Sequence, residues 1–503
     1  MALGLGLGAM LALGVGMALA ASAPKPPSPA PGAVLLLSAD LRGYLAPCGC
    51  SENMRGGIAR AAQQVADARK GPLPVLYVDG GDSLFGSARL TPAQVPQEEK
   101  KARTLAEAMR RMGLAVRAGG ELDEARGAAF RQGLKLPELA PGGVKLLPAG
   151  GRQLAFVRAD SAAQLERSTV QARAQGADFV VALFHGTLEA AARAAAAPGH
   201  RADLVLATHT EDELKGEENR RAAARVPVVQ LQSKGRSLLR VDLSYGPARG
   251  PFSPLKGQED VEREVAGLAQ RIELLDADVN QPGVDPQLKK LKQAKVAELV
   301  QRRQQLLTQP PPRPEGQNAF TLRFLPLESS LPSEAGVAAL VAAYDREVGQ
   351  LNLAWAKAHG EDCPRPAKGQ AAFVGNAECQ SCHAEAFSVY TASKHAHAWE
   401  TLEAEGKQFH LNCVTCHVTG SGQPGGVCRL DKVKGREDVG CESCHGPGSL
   451  HAEDPSAQNI RGRPGREVCV TCHNPENSPH FDFATYLPRV LGPGHGQPAA
   501  KRP

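Results

Sequence analysis

The sequence predicts a multidomain protein: an α/β layered domain, then a helical hairpin, then a C-terminal part that is mostly helical or irregular. Short apolar runs that alternate with Ala- and Arg-rich helical segments predict the layered domain over residues 34–250. Apolar residues in 4-3-4-3 spacing predict the hairpin over residues 251–312. Four Cys-x-x-Cys-His motifs lie in residues 373–503, where regular apolar periodicity is scarce.

Four apolar runs of the first domain are expected to form buried strands, because each is short and ends in polar or turn residues. Helices are expected between them, near residues 57–69, 102–112 and 160–175. This alternation predicts helices packed on sheets, with ligands bound at the carboxyl ends of the strands. The runs begin at Val34, Val75, Phe179 and Leu204.

Residues 258–308 have the pattern of two antiparallel helices. A break at Asn280-Gln-Pro-Gly separates the first helix from a second at about 286–308. We expect the hairpin to be a spacer or a dimer contact. Residues 313–372 then hold a strand from Ala319, a helix at about 333–357 and a polar linker. The apolar seam of the first helix consists of Val261, Val265, Leu268, Ile272 and Leu275.

The N-terminus has the composition of an export signal. Its first 20 residues are small and apolar, and Ala18-Leu-Ala20 fits a cleavage site. We expect residues 1–23 to be a signal peptide or a membrane anchor, followed by a Pro-rich linker at 24–33. Either alternative predicts a periplasmic or exported protein, with membrane association possible through this segment. The net charge of +5 is spread along the chain and implies no nucleic-acid partner.

The Cys-x-x-Cys-His motif attaches c-type haem: the two thiols form thioethers and the histidine ligates the iron. We therefore expect four covalently bound c-type haems and electron-transfer chemistry. Expected partners are other redox proteins or quinone-linked carriers of the membrane. Attachment of c-type haem after export agrees with the N-terminal signal. The motif residues are Cys379, Cys382, His383, Cys413, Cys416, His417, Cys441, Cys444, His445, Cys469, Cys472 and His473.

The opposite face of each haem iron needs another ligand or stays open. His395 and His397 are two residues apart, so we expect only one of them to bind iron. An iron with two histidines favours electron transfer, whereas an open face permits substrate binding. Six histidines in this block are available for four positions: His395, His397, His410, His451, His480 and His495.

The surroundings of the motifs resemble the cytochrome c554 family of tetrahaem proteins over about 373–497. The similar stretches begin at Phe373, Ser393, Cys413 and Gly440, in this order. The resemblance implies closely stacked haem pairs and electron transfer. It also implies that His395 and His451 are ligands on the opposite faces. His480 and His495 are the next candidates and His410 is the weakest.

The first domain resembles the calcineurin-like metallophosphoesterases of the 5′-nucleotidase type over about 34–245. Active members use two metal ions to activate water and hold phosphate. The resemblance implies a vestigial metal site at the positions that this chain retains, and leaves a second metal uncertain. The matching residues are Asp40, Asp82, His185 and His209, together with Gly56-Gly-Ile-Ala-Arg60.

Three departures predict that the two-metal site is not built. Arg42 replaces the first histidine of the family pattern, residues 119–123 replace its Asn-His segment, and Glu211 replaces its last histidine. We therefore expect a non-hydrolytic domain. One alternative is an active phosphoesterase that uses the retained residues as a reduced metal set. Another is a multihaem reductase of a small nitrogen or sulfur oxyanion.

Four cysteines lie outside the haem motifs. Cys48 and Cys50 form a Pro-Cys-Gly-Cys element after the first predicted strand, beside the vestigial site. They are candidates for a redox pair or a soft-metal site. The alternative is a structural disulfide, with Cys363 as one partner. Cys428 is expected to be a free thiol or a disulfide partner.

Overall fold

A computed structural model describes residues 31–47, 54–210, 218–222, 224–256, 258–279, 285–308, 316–474, 477–478 and 481–495. The export signal, Cys48, Cys50, Glu211 and His480 lie outside these residues, so their predictions stay predictions. Within the described ranges, no helix is long and apolar enough to cross a membrane.

The described residues form thirteen strands and sixteen α-helices. The strands are β1 Gly32–Ser38, β2 Val75–Asp79, β3 Leu114–Ala118, β4 Glu138–Leu139, β5 Val144–Ala149, β6 Arg152–Ala159, β7 Phe179–Phe184, β8 Leu204–Ala207, β9 Arg220–Ala222, β10 Val228–Gln230, β11 Ser237–Ser244, β12 Ser253–Leu255 and β13 Ala319–Pro326. The helices are α1 Ile58–Arg69, α2 Val95–Arg111, α3 Gly127–Gly133, α4 Ala162–Ala174, α5 Leu188–Ala196, α6 Gln258–Val279, α7 Pro286–Thr308, α8 Ala335–His359, α9 Asn376–Gln380, α10 Ala384–Thr391, α11 Ala398–Ala404, α12 Leu411–His417, α13 Cys441–His445, α14 Ser449–Glu453, α15 Arg466–Cys469 and α16 Phe483–Tyr486.

Two sheets pack face to face and share one apolar core. The first has the order β12-β13-β11-β1-β2-β3-β4, and the second has the order β5-β6-β7-β8-β10-β9. Leu35 and Val78 of the first sheet and Phe156 and Val181 of the second lie in this core. Helices α1, α2 and α8 cover the outer face of the first sheet, and α4 and α5 cover that of the second. The predicted α/β layered class is confirmed.

Local sequence explains the elements that carry the site. Every residue of β1 is buried, which is the environment expected for an unbroken apolar run inside a sheet. It pairs in parallel with β2, with Val34 opposite Val75. Helix α4 begins where the Ser161 hydroxyl accepts a hydrogen bond from the Gln164 amide, a common N-cap. The four predicted strands and three predicted helices are present, although α2 begins earlier, at Val95.

The first sheet continues beyond residue 250. Strand β13 lies between β11 and β12, so the α/β domain includes part of the segment assigned to residues 313–372. The predicted hairpin is an excursion between β12 and β13. Its ion pairs, Lys292 with Asp278 at 3.1 Å and Arg302 with Glu264 at 3.3 Å, show that α6 and α7 run antiparallel.

Helix α8 belongs to two cores. Glu334 caps it by accepting hydrogen bonds from the amides of residues 336 and 337. Val348 packs in the core between α1, α2 and the first sheet. Further along, Ala356 packs with Val414 and Val418 in a small apolar cluster of the C-terminal part. One continuous helix therefore joins the two parts of the protein.

The C-terminal part consists of short helices and loops, as predicted. A disulfide joins Cys363 to Cys428, whose Cα atoms are 5.1 Å apart. It ties the linker after α8 to the insertion between the second and third haem motifs. The suggested disulfide between Cys363 and the Cys48–Cys50 element is therefore wrong, because Cys363 already has a partner.

Candidate functional site

Each haem motif forms about one helical turn. The His383 amide donates to the Cys379 carbonyl at 2.9 Å, and the His473 amide donates to the Cys469 carbonyl at 2.8 Å. Four-residue spacing on a helical turn places the first cysteine and the histidine on the same face. The two groups that bind porphyrin and iron are thus presented together.

The four motifs form one cluster. The thiols of Cys379 and Cys441 are in hydrogen-bonding contact, which places the first motif beside the third. The thiols of Cys416 and Cys472 are also in contact, which places the second motif beside the fourth. This arrangement brings the predicted attachment points together in two pairs.

Hydrogen bonds orient several histidines of the cluster. Nδ1 of His417 donates to the Ala398 carbonyl at 2.6 Å, and Nδ1 of His445 donates to the Arg461 carbonyl at 2.7 Å. Nδ1 of His451 donates to the Ser456 carbonyl at 3.0 Å. A proton fixed on Nδ1 leaves the lone pair on Nε2, which is the usual way in which a protein prepares a metal-binding histidine.

Two pairs of histidines face each other. The ring centres of His383 and His451 are 6.1 Å apart, and their planes differ by 18°. Those of His395 and His473 are 6.2 Å apart, and their planes differ by 49°. Two imidazoles that share one metal ion through bonds of about 2 Å have ring centres about 6 Å apart. Both spacings fit an iron between the rings.

The remaining described histidines have different surroundings. His495 lies near His445 and His383; burial and these two histidines lower its pKa. His397 contacts the Thr391 carbonyl and Glu400. His410 is 7% exposed, donates to the Asp345 carbonyl and packs on Tyr344.

The α/β site lies at the carboxyl ends of four strands, as predicted. Asp82 follows β2, His185 follows β7 and His209 follows β8. Asp82 is fully buried; one carboxylate oxygen is 2.6 Å from Nδ1 of His209 and 3.7 Å from Nδ1 of His185. The hydrogen bond to Asp82 raises the pKa of His209. These three side chains are close enough to hold one metal ion.

Asp40, the fourth retained residue, is bound to an arginine instead. Nε of Arg42 donates to the Asp40 carboxylate at 2.8 Å, and Nη2 of Arg42 donates to the Thr210 carbonyl at 2.5 Å. Burial raises the pKa of Asp40 although Arg42 opposes this effect. The guanidinium occupies space beside Asp40 that a second cation would need.

The glycine at position 120 also limits the site. A Cβ atom there would lie 2.0 Å from an oxygen of Asp82, so a larger side chain requires rearrangement. Position 120 therefore offers no ligand side chain, and with the Arg42 guanidinium bound to Asp40 the residues present do not fit a two-metal site. They fit at most one metal ion, held by Asp82 and the two histidines.

Sequence reasoning missed the charged residues that support this site. Asp123 accepts hydrogen bonds from the amides of Asp82, Ser83 and Leu84 at 2.8–3.0 Å. The fully buried Arg117 donates to Asp123 at 2.7 Å. Three carboxylates surround Arg117, and burial raises the pKa of one of them, Asp79, to about 6. This network fixes the loop that presents Asp82.

Structural comparison with known proteins finds 5′-nucleotidases and related enzymes. The 5′-nucleotidase precursor of Thermus thermophilus is 12% identical, with 69% of this chain and 61% of that chain covered, at a TM-score of 0.42. Sulfate thiohydrolase SoxB of the same species is 16% identical, with 66% of this chain and 62% of that chain covered, at a TM-score of 0.40. The calcineurin-like phosphoesterase YfkN of Bacillus subtilis is 16% identical, with 44% of this chain and 87% of that chain covered, at a TM-score of 0.33.

Sequence comparison concerns the C-terminal part. Residues 378–446 match the profile of the family "Cytochrome c554 and c-prime". Cytochrome c-554 of Nitrosomonas europaea is 38% identical over 93 residues, which are 16% of this chain and 40% of that relative. The match therefore spans less than half of the relative's length. Residues 378–446 form a cytochrome c554-like segment, and this similarity implies covalently bound c-type haem.

Proposed function

We propose that the protein is an exported multihaem c-type cytochrome that transfers electrons and carries four haems. The observation that supports this most is the facing arrangement of His383 with His451 and of His395 with His473. Iron with two histidine ligands favours electron transfer over substrate binding. Periplasmic redox proteins or quinone-linked carriers of the membrane are the partners that fit this function.

Haems attached at the four motifs would supply irons that can accept and donate one electron each. The cysteines of each motif hold the porphyrin, and His383, His417, His445 and His473 provide the first iron ligand. His451 would hold an iron together with His383, and His395 would hold one together with His473. The resemblance to the cytochrome c554 family makes His495 the next candidate for an opposite ligand. His480 stays a candidate for the remaining position.

The α/β domain is proposed to be non-hydrolytic. Two-metal hydrolysis needs ions on both sides of the bound phosphate and the attacking water. The ion pair between Arg42 and Asp40 and the close approach of Gly120 to Asp82 support the loss of that arrangement. The domain then serves as a rigid support for the cytochrome part or as a site for its partner.

A phosphoesterase with a single metal ion is the second candidate function. The cluster of Asp82, His185 and His209 supports it, since two histidines and one carboxylate suit a transition metal. Nucleotide hydrolysis with added Mn²⁺ or Zn²⁺ tests this candidate. Activity that Asp82→Asn abolishes would establish the hydrolase and overturn the non-hydrolytic assignment; metal binding without hydrolysis would support a structural ion.

The thiols of Cys48 and Cys50 are proposed as a redox or metal-binding pair that exchanges electrons with the haems. Vicinal thiols are suitable for either role. The double variant Cys48→Ser/Cys50→Ser should change electron uptake or metal content. If both quantities stay at the wild-type level, the pair has no such role.

A combined optical and paramagnetic-resonance titration of the holoprotein tests the main proposal. We expect four haems per chain by pyridine haemochrome analysis, and low-spin ferric signals from the irons with two histidines. Fewer than four haems would overturn the assignment of the four motifs. A reduced spectrum in which CO shifts most of the Soret band would favour a reductase with open haem faces.

A further inference from the structure

Aromatic side chains connect the fourth haem motif to the protein surface. The rings of His473 and Phe481 are stacked, with centres 4.8 Å apart and planes that differ by 12°. Phe481 meets Tyr486 edge to face at 5.0 Å, and Tyr486 is 5.9 Å from His473. Both aromatic residues are partly exposed. The proposed iron ligand is therefore in van der Waals contact with rings that reach solvent.

A cation lies over the outer end of this group. The guanidinium carbon of Arg489 is 4.6 Å from the ring centre of Tyr486, within the range of a cation–π contact, and Arg489 is exposed. Asp482 holds the local backbone, because its carboxylate accepts a hydrogen bond from the Thr485 amide at 2.9 Å. Phe481, Tyr486 and Arg489 together form a surface that we term the aromatic port.

Charge separates the aromatic port from the rest of the cytochrome part. Residues 455–503 contain six Lys or Arg and three Asp or Glu. Residues 373–454 contain six Lys or Arg and eleven Asp or Glu. Two further arginines that precede the fourth motif, Arg463 and Arg466, are exposed. Arg461 lies at the third motif, where it donates to the Cys444 carbonyl at 3.3 Å. In the sequence, the fourth motif is therefore flanked by more basic than acidic residues and the first three by more acidic than basic ones, a difference that favours the approach of anionic molecules to the fourth motif.

We propose that the aromatic port is the docking site of an acidic redox protein that exchanges electrons with the fourth haem. This inference rests on the proposed electron-transfer function. One electron passes from the ferrous iron to the oxidised partner, or from the reduced partner to the ferric iron, and no bond is made or broken. Arg489 attracts the acidic partner. The contacting rings of Phe481 and Tyr486 form a path for the electron between His473 and the surface.

The first test locates an anion on the surface without any electron transfer. Hexacyanochromate(III) is a redox-inert paramagnetic trianion, and it broadens the NMR signals of protons near its binding site. We expect it to broaden the ring signals of Tyr486 and Phe481 in the holoprotein. Arg489→Gln should remove most of that broadening. Arg436→Gln is the matched control, because Arg436 lies over Phe373 at 5.9 Å in the acidic segment.

The second test measures electron exchange. Reduced holoprotein is mixed with ferricyanide, an anion, or with tris(phenanthroline)cobalt(III), a cation. Arg489→Gln should slow oxidation by ferricyanide at low ionic strength about threefold or more, and should speed oxidation by the cobalt complex, because the removed charge attracts the anion and repels the cation. Tyr486→Leu should slow both reactions, and an unchanged low-spin spectrum verifies that its haems are intact.

The outcomes separate this inference from the proposed function. If neither oxidant reacts with the wild-type protein, the electron-transfer function is overturned and the aromatic port with it. If ferricyanide reacts equally fast with wild-type protein and Arg489→Gln, or the trianion broadens other signals instead, electron transfer stands and the aromatic port is wrong. Equal losses in Arg489→Gln and Arg436→Gln would also overturn it, because the effect would then reflect net charge alone.

Discussion

The rings of His383 and His451 face each other at 6.1 Å, although the two residues are 68 positions apart in the chain. A hydrogen bond fixes the ring of His451, because its Nδ1 donates to the Ser456 carbonyl at 3.0 Å. The fold of the polypeptide thus brings both imidazoles to the spacing that the proposed shared iron requires. Because both imidazoles already lie in place, less conformational entropy would be lost when they bind the iron.

Removing one of these ligands should change one haem. In His451→Ala, we expect one of the low-spin ferric signals to be replaced by a high-spin signal, and CO to bind the corresponding ferrous haem. Paramagnetic resonance and optical spectroscopy measure both changes. His397→Ala is the control, because His397 contacts Thr391 and Glu400. A fully low-spin spectrum of His451→Ala would show that the facing geometry has no role in ligation.

The stability of the junction between the α/β part and the cytochrome part should depend on the buried side chain of Gln97. The Gln97 side-chain oxygen accepts hydrogen bonds from the Asn352 side chain at 2.7 Å and from the Leu411 amide at 3.1 Å. Gln97→Leu leaves these buried donors without their partner. The free energy of unfolding should fall by about 1–3 kcal/mol, as measured in denaturant. Gln301→Leu on the exposed face of α7 should change it little; equal effects would contradict this view of the junction.

His410 should make the stability of the junction depend on pH. Burial lowers its pKa, with Lys407 and Lys101 acting in the same direction and the Asp345 carbonyl opposing them. Below about pH 6.5 the unfolded chain takes up a proton on this histidine that the folded protein does not. Stability is therefore present above that pH and is lost as the pH falls, by at most about 1.4 kcal/mol per unit.

Unfolding midpoints measured between pH 5 and 8 test this dependence. His410→Gln should flatten the profile, whereas His359→Gln, a change of an exposed histidine, should preserve it. A profile with the same slope in wild-type protein and His410→Gln would assign the dependence to other groups.

The disulfide between Cys363 and Cys428 should stabilise the cytochrome part. It closes a loop of 65 residues, and its removal should lower the free energy of unfolding by about 2–4 kcal/mol. Unfolding of the double variant Cys363→Ser/Cys428→Ser can be followed by the shift of the Soret band in denaturant, which reports loss of the native iron ligands. A mild reductant should move the wild-type midpoint to that of the variant, since thioether bonds to haem resist it. If reductant leaves the unfolding midpoint of the wild-type protein unchanged, the disulfide has no stabilising role.

The sequence predicted elements with a strong local pattern and missed those with a weak one. The uninterrupted apolar runs at Val34 and Phe179 gave correct strands, because both faces of these strands are buried. Strand β6 has arginines among its apolar residues, and this concealed its pattern. Arg152 at its start is buried, lies 3.5 Å from Asp178 and donates to the Gly246 carbonyl, contacts that only the fold provides.

The candidate sites show the same difference between features with a local sequence pattern and features that depend on the fold. The proposed attachment cysteines and first iron ligands follow from a motif of five residues, whereas the facing of His395 and His473, 78 positions apart, depends on the fold. The departure at Arg42 was visible in the sequence, but its ion pair with Asp40 was not. The partner of Cys363 was likewise left open, because disulfide pairing is a property of three-dimensional proximity.

Helix α8 sets a fixed distance within the molecule. Val348, its last residue in the α/β core, and Ala356, its residue in the cytochrome cluster, are eight positions apart. A rise of about 1.5 Å per residue makes this a rod of about 12 Å. Without a hinge in that stretch, the two parts cannot swing apart to exchange partners. A molecule bound at the α/β site would thus be held at one constant separation from the haems.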